Sequence, residues 1–405
     1  MRKKLEDYRG IVPDEVLADL HRRVGRLYDK HVVHVNSTSQ GGGVAELLYS
    51  IVPLMNDVGL YAGWRVLPGS NDFFSVTKKF HNGMQGENVH FTDRKMRLYT
   101  ETNENFAAYT HIHKHDAVVI HDPQPLPVIA YYRKRQPWIW RCHIDISSPD
   151  PVLWDYLKGF VLRYDLMVVS HPSYVREDLP VEQRVINPAI DPLNEKNDHL
   201  SDETVHKYMQ KFGVPLDKPL ITQVSRFDKW KDPLGVLDVF ERVREEVDCR
   251  LVLCGNAATD DPEGAGVFEE VSQRAARFVE SGDVILLTQA SDIAVNALQR
   301  VSSVVMQKST REGFGLTVSE ALWKGTPVVA SAVGGIPLQV IDGKCGYLVQ
   351  PGEVDECARK VTAILKDREM AEEMGRYGKE HVRENFLVTR LLGHWLSLFD
   401  ELIGG

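Results

Sequence analysis

Cysteine is scarce. Five thiols, Cys142, Cys249, Cys254, Cys345 and Cys357, serve 405 residues. They are odd in number and lack metal-type spacing, which argues against a disulfide framework and a zinc site. No window approaches the roughly 18 uninterrupted apolar residues of a membrane span, so no membrane partner is expected. Positive charge is also short: 48 Lys and Arg stand against 57 Asp and Glu, for a net charge of −9, with no long basic run. Nucleic acid is therefore not an expected partner, and a phosphorylated ligand would have to be held by local cations and backbone amides. The start, Met1 to Asp7, carries basic residues but no apolar stretch behind them, so an export signal is not expected and a cytoplasmic location is. Gly41-Gly42-Gly43 lacks the G-x-G-x-x-G spacing of a dinucleotide loop, which removes a nicotinamide cofactor from consideration.

What is present is ordinary globular material, 43% hydrophobic and 26% charged, in a chain longer than one core usually serves. Two domains follow. From residue 31, β-branched runs alternate with amphipathic stretches of helical length, the pattern of parallel sheets covered by helices. Expected strands are 31–35, 63–67, 117–120, 138–140 and 166–169, then 220–225, 250–254, 284–287, 304–306 and 328–331. Polar residues gather at their ends, as in His121-Asp122, His143-Ile144-Asp145 and Ser170-His171. In open parallel sheets that carboxyl edge binds ligands. The segment 187–202, rich in Pro, Asn and charge, reads as the exit from the first domain, with the boundary near 215. The expected domains are thus 1–215 and 216–385, and a final amphipathic helix, 386–405, is long enough to pack back on the first.

The sharpest motif is Arg311-Glu312-Gly313-Phe314-Gly315-Leu316-Thr317-Val318-Ser319-Glu320, where a strand ends and a helix opens across two glycines. The glycines admit a ligand close to the backbone, and the amides of Leu316 and Thr317 with the helix dipole favour an anion. Glu312 falls in the loop and Glu320 in the helix, so both carboxylates can accept hydrogen bonds from a polyhydroxyl ligand. The plain alternative is a solvated helix residue and a surface loop carboxylate. A second motif, Ser225-Arg226-Phe227-Asp228-Lys229-Trp230-Lys231-Asp232-Pro233, also follows a strand and precedes a helix. Arg226 offers a planar fork and Lys231 a compact charge, a pair suited to a diphosphate. Alone they could be solvated basic residues; together the two segments specify sugar plus diphosphate.

Carried by Glu312, Glu320, Arg226, Lys231 and the glycine loop in this order, the chain resembles the retaining glycosyltransferases of the GT-B fold, the group that includes glycogen, sucrose and trehalose synthases. That resemblance implies an α/β protein of two Rossmann-like doubly wound domains facing across a cleft. The segments 35–46 and 80–86 are similar to trehalose synthases of the glycosyltransferring type, which join the glucose of a nucleoside-diphosphate glucose (ADP-, UDP- or GDP-glucose) to free glucose. Residue by residue, the resemblance implies that Glu312 and the neighbouring Gly313, Phe314, Gly315, Leu316 and Thr317 hold the donor sugar and phosphates and that Glu320 holds the ribose. Arg226 and Lys231 would hold the diphosphate, and Gly41, Gly42 and Gly43 would approach the phosphates from the N-terminal domain. Asn256 joins the donor side, and Thr288 and Gln289 would meet the nucleobase largely through backbone groups, which leaves the base open. His143 stands where the family places a histidine beside the reacting carbon; a satisfied strand-end histidine is the alternative. Asn36, Asp122, Gln124 and Asp145 are acceptor-side candidates by position only, and ordinary turns explain them equally well.

The same resemblance implies that the acceptor attacks on the face the nucleotide leaves, with no cofactor required. No metal is demanded, although a divalent cation such as Mg could stimulate. Expected partners are the nucleotide sugar and a small sugar acceptor, with a homodimer as an option. Rival readings are another synthase with a different acceptor, a hydrolase or phosphorylase using Glu312 and Glu320 as its pair, and a non-catalytic sugar-nucleotide sensor. Trp138, Trp140 and Trp154 read as packing residues rather than sugar platforms. His111, His113 and His115 alternate like metal ligands but suit a solvated strand entering Asp116 better.

Overall fold

The computed structural model describes residues 3–39, 42–255 and 262–405. The chain forms two compact units, Met1–Ala189 with Leu387–Gly405, and Ile190–Phe386. The division thus falls earlier than residue 215. The reason is helix Asp202–Lys211, whose buried Val205 and Met209 share a core cluster with Leu220, Val224 and Val252 of the second unit.

In the first unit six strands lie parallel: β1 (His31–Asn36), β2 (Tyr61–Val66), β3 (Ala117–His121), β4 (Trp138–Arg141), β5 (Leu166–Val169) and β6 (Glu182–Val185). Their order is β2-β1-β3-β4-β5-β6. β3, β4 and β5 are buried along their whole length, as strands covered on both faces must be. β6 was not anticipated from sequence, because Glu-Gln-Arg-Val carries no apolar run; it is a half-exposed edge strand. Trp138, Trp140 and Trp154 are buried in this core. The C-terminal helix Val388–Ile403 lies in the first unit, its Leu392, Trp395, Leu396 and Phe399 buried and its Asp400 in ion contact with Arg26. His111 ends a helix in left-handed conformation and His113 sits in a turn of 3₁₀ helix, Ile112–Lys114, so the expected strand through His111, His113 and His115 does not form.

The second unit contains β7 (Leu220–Val224), β8 (Arg250–Cys254), β9 (Val284–Leu287), β10 (Val304–Gln307), β11 (Val328–Ser331) and β12 (Gly346–Val349), again all parallel, in the order β12-β11-β10-β7-β8-β9. β12 was also missed. It begins at Gly346, where a Cβ would lie 1.9 Å from the Val328 carbonyl oxygen, so only glycine lets the strands approach. In each sheet the strand order reverses direction once, between β1 and β3 and between β7 and β10. Loops diverge at such points and leave a crevice at the carboxyl edge. Among the described residues no helix is long and apolar enough to cross a membrane.

Candidate active site

In the second unit the two loops leaving β7 and β10 flank the switch point, and both sequence motifs lie in them. After β7 comes one turn of 3₁₀ helix, Lys229–Lys231, capped by the Asp228 side chain, which accepts from the Trp230 amide at 2.9 Å. The Thr310 amide donates to the Trp230 carbonyl at 2.8 Å, tying the second loop to the first. The Lys231 ammonium then meets the Glu312 carboxylate directly. Their side chains are 16% and 11% exposed, so neither is a solvated surface charge. Glu312 Oε2 also accepts from Ser309 Oγ at 3.2 Å and Gln307 Nε2 at 3.5 Å. Arg226 is more open, 43% exposed, and is held by buried Asp228 at 3.2 Å.

Gly315 caps helix Leu316–Trp323 with φ +83°, a left-handed conformation that glycine adopts without penalty. The first helical amides, of Leu316 and Thr317, therefore open beside Glu312 without intrahelical acceptors. Glu320 lies in this helix and is nearly buried, its side chain 3% exposed. Its Oε1 is 4.0 Å from Lys196 Nζ, and its Oε2 has no hydrogen-bond partner among the described residues. A buried carboxylate with an unfilled oxygen is costly, which fits an oxygen reserved for a ligand hydroxyl.

Three supporting groups escaped sequence reasoning. Lys308 is buried and ion-paired with Asp232, which itself adopts φ +47° and caps helix Pro233–Arg244. Gln339 accepts from the Ser319 amide at 3.0 Å and hydroxyl at 2.6 Å and donates to the Phe314 carbonyl, fixing the loop to its helix. Lys324 donates to Asn197 Oδ1, Gln299 Oε1 and the Glu320 carbonyl, at 2.9, 2.8 and 3.0 Å; burial lowers its pKa to about 7. Lys308 directly follows its strand, β10, and could have been noticed there; nothing local marks Gln339.

Gly313 and Phe314 lie in the loop, and Phe314 packs on Phe386. Thr288 and Gln289 follow β9 at the sheet edge, two strands from the switch point, Gln289 exposed. Asn256 and Gly41 fall outside the described residues.

In the first unit, Gly42 (φ +84°) caps helix Gly43–Asp57, beyond the end of β1. Asn36 is committed to structure: its Oδ1 accepts from Trp64 Nε1 and its Nδ2 donates to the Thr38 carbonyl, both at 2.7 Å. Asp145 likewise closes a turn, accepting from the Ser147 amide and hydroxyl at 2.9 and 2.6 Å. Gln124 is partly exposed, its carbonyl accepting from Asn103. Asp122 is different. It is held at φ +60°, a left-handed position uncommon for aspartate, and its Oδ1 accepts from the His143 amide at 2.7 Å. Burial raises its pKa to about 7, against the lowering effect of that amide and of Arg141. His143 follows β4 at the carboxyl edge; burial, reinforced by Arg141, pushes its pKa well below the ordinary imidazole value.

The chain matches known proteins along most of its length. Residues 34–176 match the family model described as trehalose synthase, N-terminal domain, and residues 205–381 match glycosyl transferases group 1. A trehalose synthase of Thermococcus litoralis is 47% identical over 405 residues, covering 98% of this chain and 97% of that protein. A trehalose phosphorylase of Grifola frondosa is 30% identical, covering 97% of this chain and 60% of that longer protein. The crystal structure of an α,α-trehalose-phosphate synthase (UDP-forming) from Burkholderia vietnamiensis superposes with a TM-score of 0.74 at 14% identity, covering 93% of this chain and 99% of that one. The fold is GT-B, two parallel α/β units, as the sheets described above require.

Proposed function

The chain belongs to the trehalose synthase family of glycosyltransferases, and from that premise we propose that it transfers the glucosyl unit of a nucleoside-diphosphate glucose to free glucose with retention, forming trehalose. The observation that carries the reading is the meeting of Lys231 and Glu312 across the β7–β10 switch point. It sets a phosphate-binding cation and a hydroxyl-binding carboxylate side by side, with Arg226 in the same loop. The unfilled Oε2 of Glu320 supports a ribose hydroxyl as a further ligand.

The chemistry follows from charge. As the bond from the anomeric carbon to the phosphate oxygen lengthens, negative charge grows on the diphosphate and an oxocarbenium-like sugar remains. Lys231, Arg226 and the amides of Leu316 and Thr317 are preorganised to stabilise that anion. Glu312 orients the sugar through its hydroxyls, so binding energy fixes the reacting geometry. The acceptor oxygen forms its bond on the face the diphosphate leaves, and its proton passes to the departing phosphate oxygen. No carboxylate nucleophile is needed.

The test is incubation of the purified protein with ADP-, UDP- and GDP-glucose and glucose. The expected product is α,α-trehalose with release of nucleoside diphosphate. Glucose release alone, or no reaction with any donor, would overturn the reading. A phosphorylase is the second reading, favoured by the Grifola frondosa relative; it predicts glucose 1-phosphate from trehalose and inorganic phosphate with no nucleotide present. Glu320 argues for the first, since inorganic phosphate brings no ribose to fill it.

A further inference from the structure

Three imidazoles in the first unit form a file, and none of them has a role in the reaction just described. His34 lies in β1, His121 ends β3 and His143 follows β4. His34 pairs across the sheet with Val119, and His121 with Arg141. Residues 34, 121 and 143 therefore share one face, each step moving one strand over and two residues toward the carboxyl edge. Nδ1 of His34 is 3.0 Å from Nε2 of His121, and Nδ1 of His121 is 3.0 Å from Nε2 of His143. The inner end is sealed: His34 is fully buried, perpendicular to Trp395 and steeply inclined to Phe399, and its Nε2 has no hydrogen-bond partner. The outer ring, His143, is partly exposed, and its Nδ1 has no protein partner among the described residues.

A neutral imidazole has one N–H and one lone pair. Three neutral rings joined by two N–H···N bonds then have two arrangements, with every proton directed outward or every proton directed inward. The inward one strands an N–H on His34 Nε2 in apolar surroundings, and a buried orphan N–H is the rarer defect in proteins. The outward one leaves only a lone pair there, and it ends in an N–H at His143 Nδ1. We propose that His34 and His121 are positioning residues that, through this file, hold His143 as a neutral donor from Nδ1 toward an oxygen of a sugar bound at this sheet edge.

The surroundings agree. The Asp122 carboxylate takes the His143 amide, Arg141 donates to Ser170 Oγ and the Ile186 carbonyl on the same face, and the Cys142 thiol is held up by burial. Arg390, on the C-terminal helix, acts on Arg141 at longer range. A further positive charge on the file would face Arg141. Moreover, the His121 N–H occupies the lone pair that an incoming proton on His143 Nε2 would need, which favours the neutral ring.

This role rests on the glucosyl-transfer reading, but its first test does not. Two-bond ¹H–¹⁵N spectra of ¹⁵N-histidine-labelled wild-type protein should show His143 protonated at Nδ1 and bare at Nε2; a bare Nδ1 overturns the proposal. The second test uses transfer kinetics. His34→Phe removes the inner donor and frees His121 to reverse, so the acid limb of the kcat/KM profile should move up by about one pH unit. His34→Asn, whose amide N–H can replace Nδ1–H, should restore the wild-type profile. A folded His34→Phe protein with an unchanged acid limb and an unchanged His143 tautomer refutes the role. Absence of glucosyl transfer in wild type would instead refute the proposed function, leaving the tautomer test standing.

Discussion

Replacing Lys231 by alanine separates the two tasks its ammonium performs. In the ligand-free protein it compensates Glu312, whose Oε2 keeps Ser309 Oγ and Gln307 Nε2 when the lysine is gone. A fully buried carboxylate stripped of its partner costs about 3–5 kcal/mol. With two neutral donors remaining and the pair partly exposed, the stability loss should be smaller, about 1–3 kcal/mol. The transition state loses more than that in rate, because no remaining neutral donor replaces a preorganised cation at the developing diphosphate. Removing one such group typically costs on the order of 100- to 1,000-fold in turnover. Urea unfolding measures the first effect, and nucleoside-diphosphate release at saturating glucose measures the second. Lys231→Ala with Glu312→Ala should be non-additive in stability, by about 0.5–3 kcal/mol, because the two side chains touch. A folded Lys231→Ala enzyme with turnover close to wild type would refute the assignment of this pair.

Gly315→Ala should destabilise by about 1–3 kcal/mol, since alanine is strained at φ +83°, and it should also lower turnover, because the new Cβ would lie 3.2 Å from Glu312 Cγ. Gly42→Ala meets nothing within 4 Å, so its unfolding midpoint should show backbone strain alone. Gln339→Leu leaves the Ser319 amide and the Phe314 carbonyl without this partner and should cost about 1–3 kcal/mol per unpaired group in denaturant titration. The raised pKa of Asp122, about 7, means the folded state holds a proton the unfolded state has released, so the contribution of this group to stability should fall as pH rises from about 4 to about 7. The shift bounds the fall at about 4 kcal/mol. Because the buried neutral imidazoles pull the wild-type curve the other way, the test is the stability difference between wild type and Asp122→Asn in pH-resolved unfolding, which should fall over this range; a pH-independent difference would contradict it.

Much of the architecture is local and therefore legible. Buried parallel strands need continuous β-branched runs, so β1, β3, β4, β5, β7, β8 and β10 announce themselves, whereas the polar edge strand β6 does not. Loops that bind phosphate need glycine and cations directly after a strand, so Arg226, Lys231, Glu312 and Gly315 could be picked out one segment at a time. Their roles as neighbours could not. Lys231 and Glu312 stand 81 positions apart, and what joins them is that β10 inserts beside β7, a strand order decided by packing of whole helices and sheets.

The same reason explains what reading along the chain misjudged or omitted. Glu320 looked capable of being a solvated helix residue, yet helix Leu316–Trp323 turns that side inward. Asn36 and Asp145 are acceptor-side candidates by position only; in the structure Asn36 holds Trp64, and Asp145 closes a turn onto Ser147 through Oδ1. His34 and His121 are unremarkable singly, and they join His143 in a file only because β1, β3 and β4 lie side by side. Residue type and short-range order determined which elements form and which loops carry charge. The tertiary structure alone decided which charges meet and which polar atoms are left without a partner, because burial and pairing depend on contacts between residues that the chain keeps far apart.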